Sequence, residues 1–270
     1  MKRTIARIAI LWGLPVGALL VGAIPGQASH EEFAVYENWA GAPTIRSDRW
    51  RGASDLGHER RREVNEDKLL MRFRREGGGL PGFFSNRLGF VNPFSVDQVE
   101  AEFRVRRLSV TGCDSSPSTA RAVTIDLNKF NDGAGGPGDL TGDHFGRIRA
   151  ERSSTDPDNT LTIRALIQRC SNPACSDAPA VVGPVTLGQV RVHKKFRLRL
   201  IWDSVGNRFL AGLDANPEVP LPYNLAHMRN ANVPFGFIRI QHLPASCPEA
   251  SGDAELEVRE VRTNASAVIP

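Results

Sequence analysis

The chain has 270 residues, 41% of them hydrophobic and 24% charged, with 34 Lys and Arg against 30 Asp and Glu. Three of the basic residues, Lys2, Arg3 and Arg7, lie in the first segment, so the remainder carries 31 basic and 30 acidic residues, a net +1. A chain so nearly neutral offers no electrostatic case for a nucleic-acid partner, and the clusters Arg60-Arg61-Arg62 and Arg72, Arg74, Arg75 sit among Glu59, Glu63, Glu66 and Glu76 as mixed-charge surface.

Lys2, Arg3 and Arg7 precede an apolar run from Ile8 to Ile24 that ends in small residues at Gly26-Gln27-Ala28. This is the layout of an export signal, and residues 1–28 are expected to be removed. The run is broken by Gly13, Pro15 and Gly17, whereas a bilayer span needs about 20 apolar residues. No membrane span is expected after cleavage, and the destination is secreted or periplasmic. Arg greatly outnumbers Lys, which suits a GC-rich bacterial genome. Residues 29–270 show no linker, repeat or low-complexity segment and are read as a single domain, a size that all-β domains reach without splitting.

From there, period-two alternation with β-branched or aromatic enrichment predicts strands over Phe33 to Ala40, Lys68 to Arg74, Val96 to Val110, Ala120 to Phe130 and His144 to Ser153. Further strands are predicted at Thr160 to Cys170, Thr186 to Val192, Phe196 to Trp202, Arg208 to Leu213, Phe235 to His242 and Ala254 to Arg262. The stretch Tyr223 to Asn230 reads as a short turn-rich connection. Strands without crossover helices imply an antiparallel sandwich.

The four cysteines suit an oxidising compartment and allow three pairings. Cys170 and Cys175 enclose Ser-Asn-Pro-Ala, a turn-like insert that closes a tight loop; Cys113 then pairs with Cys247, each just beyond a strand. A zinc site is disfavoured, because no second close pair is present.

The segment Phe196 to Asp214 is a hairpin in which Asp203 and Gly206-Asn207 supply the turn chemistry. A strand ending in Trp202-Asp203, a Gly/Asn turn and a second strand ending near Gly212-Leu213-Asp214 resembles the concanavalin A-like lectin and glucanase sandwich, also seen in laminin G-type modules. Pro234 to Ile240, Glu255 to Val261 and the opening strand from Phe33, placed beside the last one, continue the resemblance over about residues 31 to 265. It implies a two-sheet antiparallel jelly roll that binds glycans, cleaves polysaccharides or binds proteins, depending on the member; fold alone does not decide among them.

The glucanase pattern Glu-x-Asp-x-x-Glu has its nearest match in Glu255-Leu-Glu257-Val-Arg-Glu260, with Glu in the middle place and a position in the last strand. Alternation puts Glu255 and Glu257 on one side and Leu256 and Val258 in the core, the pattern of a solvated strand face. No Gly-x-Ser-x-Gly elbow is present. His144 follows a Gly/Asp loop whose Asp132, Asp139 and Asp143 are hard ligands suited to calcium, although the spacing is not that of an EF-hand. No cofactor is required.

Alternation that buries Val123, Ile125 and Leu127 predicts that Thr124, Asp126 and Asn128 are exposed. In the same way Glu100, Glu102, Arg104 and Arg106, then Arg147, Arg149 and Glu151, then Arg164 and Gln168, then Arg197 and Arg199 are expected to form one charged sheet face. Such a face suits hydroxyls or uronate carboxylates. Phe83 and Phe84, in the Gly/Pro-rich insert Gly77 to Pro93, are expected to overhang it as a lid, while Trp39, Trp50 and Trp202 are assigned to the core. The candidate ligand site is therefore Asp126, Asn128, His144, Arg147, Arg149, Arg164, Gln168, Phe83 and Phe84. The expected function is non-enzymatic binding of a glycan or cell-surface polymer, since no catalytic motif is complete. The alternatives are a polysaccharide hydrolase or lyase built on His144, Arg147 and Asp126, and a protein-interaction or structural envelope module.

Overall fold

The computed structural model describes residues 31–52, 59–75, 84–224 and 229–268; the expected export signal lies outside them. Among the described residues sixteen strands run in chain order: β1 Phe33–Glu37, β2 Trp50–Gly52, β3 Glu59–Asn65, β4 Lys68–Arg75, β5 Phe84–Phe90, β6 Gln98–Thr111, β7 Thr119–Asn131 and β8 Asp143–Ser153. They continue as β9 Thr160–Arg169, β10 Ala180–Arg191, β11 Lys195–Asp203, β12 Arg208–Leu213, β13 Val219–Pro222, β14 Arg229–Asn230, β15 Gly236–Leu243 and β16 Ser251–Asn264.

They form two antiparallel sheets. One has the order β13-β12-β11-β6-β16-β4-β3, with β1 also on β16; the other has β10-β9-β8-β7-β15-β5-β2, with β14 on β7. The opening strand pairs with the last one as expected, Phe33 opposite Asn264 and Val35 opposite Arg262. The hairpin β11–β12 is closed by Asp203, whose carboxylate accepts from the Gly206 amide at 2.8 Å and from Arg208 Nε at 2.8 Å, with Asn207 at φ 48°. Both disulfides pair as predicted, Cys113 with Cys247 and Cys170 with Cys175.

The core lies between the sheets. Phe103, Val105, Phe196, Leu198 and Leu256 from the first sheet meet Val123, Ile125, Ile148, Ile163 and Ile238 from the second. Trp39 and Trp50 stack at 5.7 Å and, with Tyr36 and Phe90, close one end. Trp202, half-buried against the core, donates from Nε1 to the Tyr223 hydroxyl at 3.0 Å, and Lys129 lies over its ring at 5.3 Å.

Two expectations are corrected. The second half of the insert Gly77 to Pro93, expected as a lid, is the strand β5, paired to β15 from Phe237 opposite Gly89 to His242 opposite Phe84; Gly77 to Phe83 lie outside the described residues. Ser85, Asn86, Arg87 and Gly89 dilute its apolar alternation, which hides the strand in the sequence. Nor is there one charged face. Glu100, Glu102, Arg104, Arg106, Arg197 and Arg199 lie on β6 and β11 of the first sheet, whereas Arg147, Arg149, Glu151, Arg164 and Gln168 lie on β8 and β9 of the second. Each sheet turns its polar side away from the shared core, so the two sets are back to back.

A guanidinium-lined cleft on the second sheet

Strand register builds the site. On the outer side of the second sheet, Arg87 stands opposite Arg239, Arg239 opposite Thr124, Thr124 opposite Arg149 and Arg149 opposite Arg164. The next row reads Gly89, Phe237, Asp126, Arg147 and Leu166; the row on the other flank reads Ser85, Gln241, Arg121, Glu151 and Thr162. A bulge between Arg121 and Val123 adds the one residue that brings Arg121 onto the same side as Thr124.

Over these rows lies a cleft of about 540 Å³ lined by Arg51, Arg87, Arg121, Arg147, Arg239, Gln168 and Gln241, with Phe145, Phe235 and Phe237. Leu140, Val233 and Pro234 form one wall, and Ala174, Cys175, Ser176 and Ala178, from the loop that begins at the Cys170–Cys175 bridge, form another. The phenylalanines touch in series, Phe145 to Phe235 at 5.4 Å and Phe235 to Phe237 at 5.1 Å. Guanidiniums cap both ends, Arg147 over Phe145 at 5.0 Å and Arg239 over Phe237 at 4.9 Å, contacts that hold planar cations on ring faces. A smaller hollow of about 240 Å³, lined by Arg121, Arg149, Glu151, Asp156 and Arg164, shares Arg121 and Leu243 with the cleft.

Asp126 lies beneath the cleft, fully buried. Arg147 Nε donates to one carboxylate oxygen at 2.5 Å and Nη2 to the other at 3.2 Å, while Arg239 Nη2 is 3.0 Å from the second oxygen. Burial alone would raise the Asp126 pKa, but Arg147 and Arg239 outweigh it and hold the carboxyl below its ordinary value. Arg147 also donates to the Gln168 side-chain oxygen, and Gln168 donates to the Ala178 carbonyl, which fixes the rim. Glu151 serves Arg121 at 3.5 Å, Arg149 at 2.8 Å and Arg164 at 3.1 Å. Burial, and then Arg149 and Arg147, push Arg121 down to about 9, still cationic at neutral pH; Arg149 is lowered by burial and by Arg147 and Arg164.

Of the predicted ligand residues, Asp126, Arg147, Arg149, Arg164 and Gln168 are brought together here. Thr124, Asp126 and Asn128 do face outward but are buried rather than exposed, because loops and arginine side chains cover them. Asn128 is a strut: its amide donates to Asp143 at 2.8 Å and to the Val233 carbonyl at 2.9 Å, holding the wall at Val233. His144 points the other way, against Phe130 at 4.8 Å with Nδ1 2.9 Å from the Gly142 carbonyl, fully buried, and burial lowers its pKa. Phe83 and the Phe84 side chain lie outside the described residues. Arg51, Arg87, Arg121, Arg239, Phe145, Phe235 and Phe237 were missed. Phe237, Arg239 and Gln241 alternate with Ile238 and Ile240, so the period-two rule applied to that strand would have found them.

The carboxylates of the Gly/Asp loop are taken up by donors from the loop, from β9 and from the segment after β14. Asp132 accepts from Arg169 Nε at 2.6 Å and the Ala134 amide at 3.2 Å, Asp139 from the Thr141 amide at 2.7 Å, and Asp143 from Asn131 at 2.7 Å and the Asn232 amide at 2.8 Å. Among the described residues no three His, Cys, Asp or Glu side chains are grouped so as to hold a metal ion. On the opposite side of the sandwich, Glu257 is buried among Arg259 at 3.4 Å, Arg106 at 3.5 Å, Lys68 at 3.9 Å and Arg104 at 4.0 Å. The Glu255 to Glu260 pattern is therefore an ion-pair ladder remote from the cleft.

No family model matches the chain, and no curated protein matches it. Solved structures do. LamAcat from Zobellia galactanivorans superposes with a TM-score of 0.50 at 14% identity, covering 86% of this chain and 97% of the other. SCLam, a non-specific endo-β-1,3(4)-glucanase from family GH16, superposes with a TM-score of 0.50 at 15% identity, covering 87% and 91%. At these identities the likeness is one of fold: the chain is a concanavalin A-like two-sheet jelly roll.

Proposed function

We propose that the chain is an exported carbohydrate-binding protein that seats its ligand in the cleft of the second sheet without cleaving it. The lining carries the reading. Among the described residues it presents guanidiniums, amides and phenylalanines, and no carboxylate, histidine, tyrosine, lysine or free thiol. Arginine stays protonated in proteins and does not serve as a proton shuttle at neutral pH, whereas glycoside hydrolysis uses two carboxylates flanking the scissile bond. Asp126 is locked beneath Arg147 and Arg239, and Glu151, in the adjoining hollow, is held by Arg121, Arg149 and Arg164.

Glycan is the ligand class to test first because SCLam, on the same fold, is a glucanase; the two disulfides fit a secreted or periplasmic setting. The test is a glycan screen of residues 29–270, with parallel assay of released sugar ends, in calcium and in chelator. Saturable binding without product is expected. Release of oligosaccharides would replace this reading by an enzyme. Silence in both assays would leave a protein-interaction module as the better account, and chelator sensitivity would bring calcium and the Asp132 to Asp143 loop into the site.

A further inference from the structure

We infer that the ligand is an acidic polysaccharide, one whose carboxylates or sulfates recur along the chain, lying across the strands from Arg51 on β2 to Arg164 on β9. The inference rests on the binding reading above and adds the charge and direction of the ligand.

Charge is the first argument. The cleft is lined by five arginines and by no acidic side chain among the described residues. Beneath and beside it, Asp126 and Glu151 are shared by Arg147, Arg239, Arg121, Arg149 and Arg164. Like charges set directly opposite on neighbouring strands destabilise a sheet, and Arg87 against Arg239 and Arg149 against Arg164 are such pairs. The outer side of the first sheet shows the contrast. There like pairs occur as well, Lys195 against Arg104 and Glu102 against Glu260, but Glu100, Glu102, Asp253, Glu255 and Glu257 each meet arginine or lysine, and the hollow sets Glu100, Glu102 and Asp214 against Lys195, Arg197 and Arg199, whereas the small hollow beside the cleft has Glu151 and Asp156 against three arginines.

Geometry is the second argument. Arg147 and Arg239 are 7% and 6% exposed, fixed from below by Asp126 and from the side by Phe145 and Phe237. Such arginines are preorganised, and the planar fork accepts a carboxylate or sulfate through two donors. Arg121 belongs to both the cleft and the adjoining hollow, which makes one groove of the two. The groove crosses β2, β5, β15, β7, β8 and β9, neighbouring strands standing about 4.8 Å apart, so cationic groups recur along it at a spacing that suits a repeating anion. Phe235, only half-buried among the phenylalanines, offers a ring face for the sugar.

The test measures binding of residues 29–270 to polygalacturonate, dextran sulfate, carboxyl-reduced polygalacturonate, laminarin and inorganic polyphosphate. At least one acidic polymer is expected to bind about tenfold or more tightly than the carboxyl-reduced one, with affinity falling steeply as salt rises. Which acidic polymer binds separates carboxylate from sulfate. Arg51→Gln and Arg164→Gln, at the two ends of the groove, should each weaken the polymer about tenfold, as loss of one charge-assisted contact does, with the melting temperature little changed. Equal binding of laminarin or the carboxyl-reduced polymer would overturn the anionic inference while leaving carbohydrate binding intact. Polyphosphate binding as tightly as the best glycan would overturn it as well, since the groove would then read charge without sugar. Failure of all five probes would overturn the anionic inference, and carbohydrate binding would then rest on the wider glycan screen.

Discussion

Replacing Asp126 by Asn removes one charge and almost no volume from beneath the cleft. The carboxylate now receives two donors of Arg147, at 2.5 and 3.2 Å, and one of Arg239 at 3.0 Å. An amide keeps one acceptor, so two guanidiniums, each less than a tenth exposed, face each other without the anion between them. Removing one partner of a buried ion pair costs about 3–5 kcal/mol. The lower end applies here, because the cleft admits water and counter-ions to the outer nitrogens. In a domain of this size each kcal/mol is worth about 2–4 °C, so the melting temperature should fall by roughly 6–12 °C. Thermal unfolding of wild type and variant at low and high salt checks this; added sulfate should recover part of the loss in the variant only. As a control, Glu260→Gln removes a half-exposed carboxylate paired with Arg262 at 2.7 Å and should cost less than about 1 kcal/mol. If Asp126→Asn shifts melting no more than Glu260→Gln, the arginines do not depend on that charge and the electrostatic account of the cleft fails.

His242 should make the fold acid-labile. It stacks on Phe73 at 5.9 Å, and burial, then Arg75, lowers its pKa from 6.5 to about 4. The unfolded chain takes up this proton as pH falls below 6.5 and the folded chain does not until about 4. The stabilising contribution is therefore complete above 6.5 and declines through that window, by roughly 3 kcal/mol at about 1.4 kcal/mol per pH unit. His242→Leu should flatten the pH dependence of stability there, and an unchanged slope would refute the assignment. The two disulfides should separate stability from binding. Cys113–Cys247 closes 134 residues and Cys170–Cys175 only 5, so on loop entropy their removal as Ser pairs costs about 5 and about 2 kcal/mol. Ligand affinity should show the opposite order, because only the second bridge shapes the cleft wall; equal losses of affinity would contradict that. Finally, Glu255→Gln with Glu257→Gln should leave glycan binding and any released sugar ends unchanged, as both lie across the core from the cleft; a loss of either would move the site to the first sheet.

Much of the sandwich is legible in the chain because alternation is a direct consequence of a strand with one wet side. Lys68 to Arg74, Arg208 to Leu213 and Thr160 to Cys170 match β4, β12 and β9 to within a residue. The strands that escape are those where that contrast is absent. β3, with Arg60-Arg61-Arg62, is polar on both sides at a sheet edge, β13 carries Pro220 and Pro222, and Gly183-Pro184 obscures the first half of β10. The cleft is half legible. Outward direction was right for Asp126, Arg147, Arg149, Arg164 and Gln168, but alternation says which way a side chain points and nothing of what lies over it. Hence Asp126 was expected in solvent and is fully buried. His144 was misplaced because its role depends on Phe130 across the strand pair and on the Gly142 carbonyl, neither of which its own sequence neighbourhood reveals.

The same residue alphabet produces opposite results on the two outer faces, and register is the reason. On the first sheet, β6 sets Glu100 opposite Arg199 and Glu102 opposite Arg197, and β16 sets Glu255 opposite Arg107 and Glu257 opposite Arg104. These crossings join unlike charges, and the like pairs of the same face, Lys195 opposite Arg104 and Glu102 opposite Glu260, are compensated by Glu102 on Lys195 at 3.2 Å, Glu257 on Arg104 at 4.0 Å and Arg262 on Glu260 at 2.7 Å. On the second sheet, β5 sets Arg87 opposite Arg239 and β8 sets Arg149 opposite Arg164, with Asp126 and Glu151 displaced to the flanking rows. A shift of one residue in β15 would put Ile238 or Ile240 opposite Arg87, in place of Arg239, and turn the arginine and its phenylalanine neighbours into the core. The one bulge in β7 between Arg121 and Val123, seen against both β15 and β8, is what keeps Arg121 on the same side as the row of Arg239, Thr124 and Arg149. A protein that needed only a stable sandwich would gain more from the arrangement of the first sheet, and it is the departure from that arrangement, not the abundance of arginine, that makes the second sheet the face on which we propose the ligand binds.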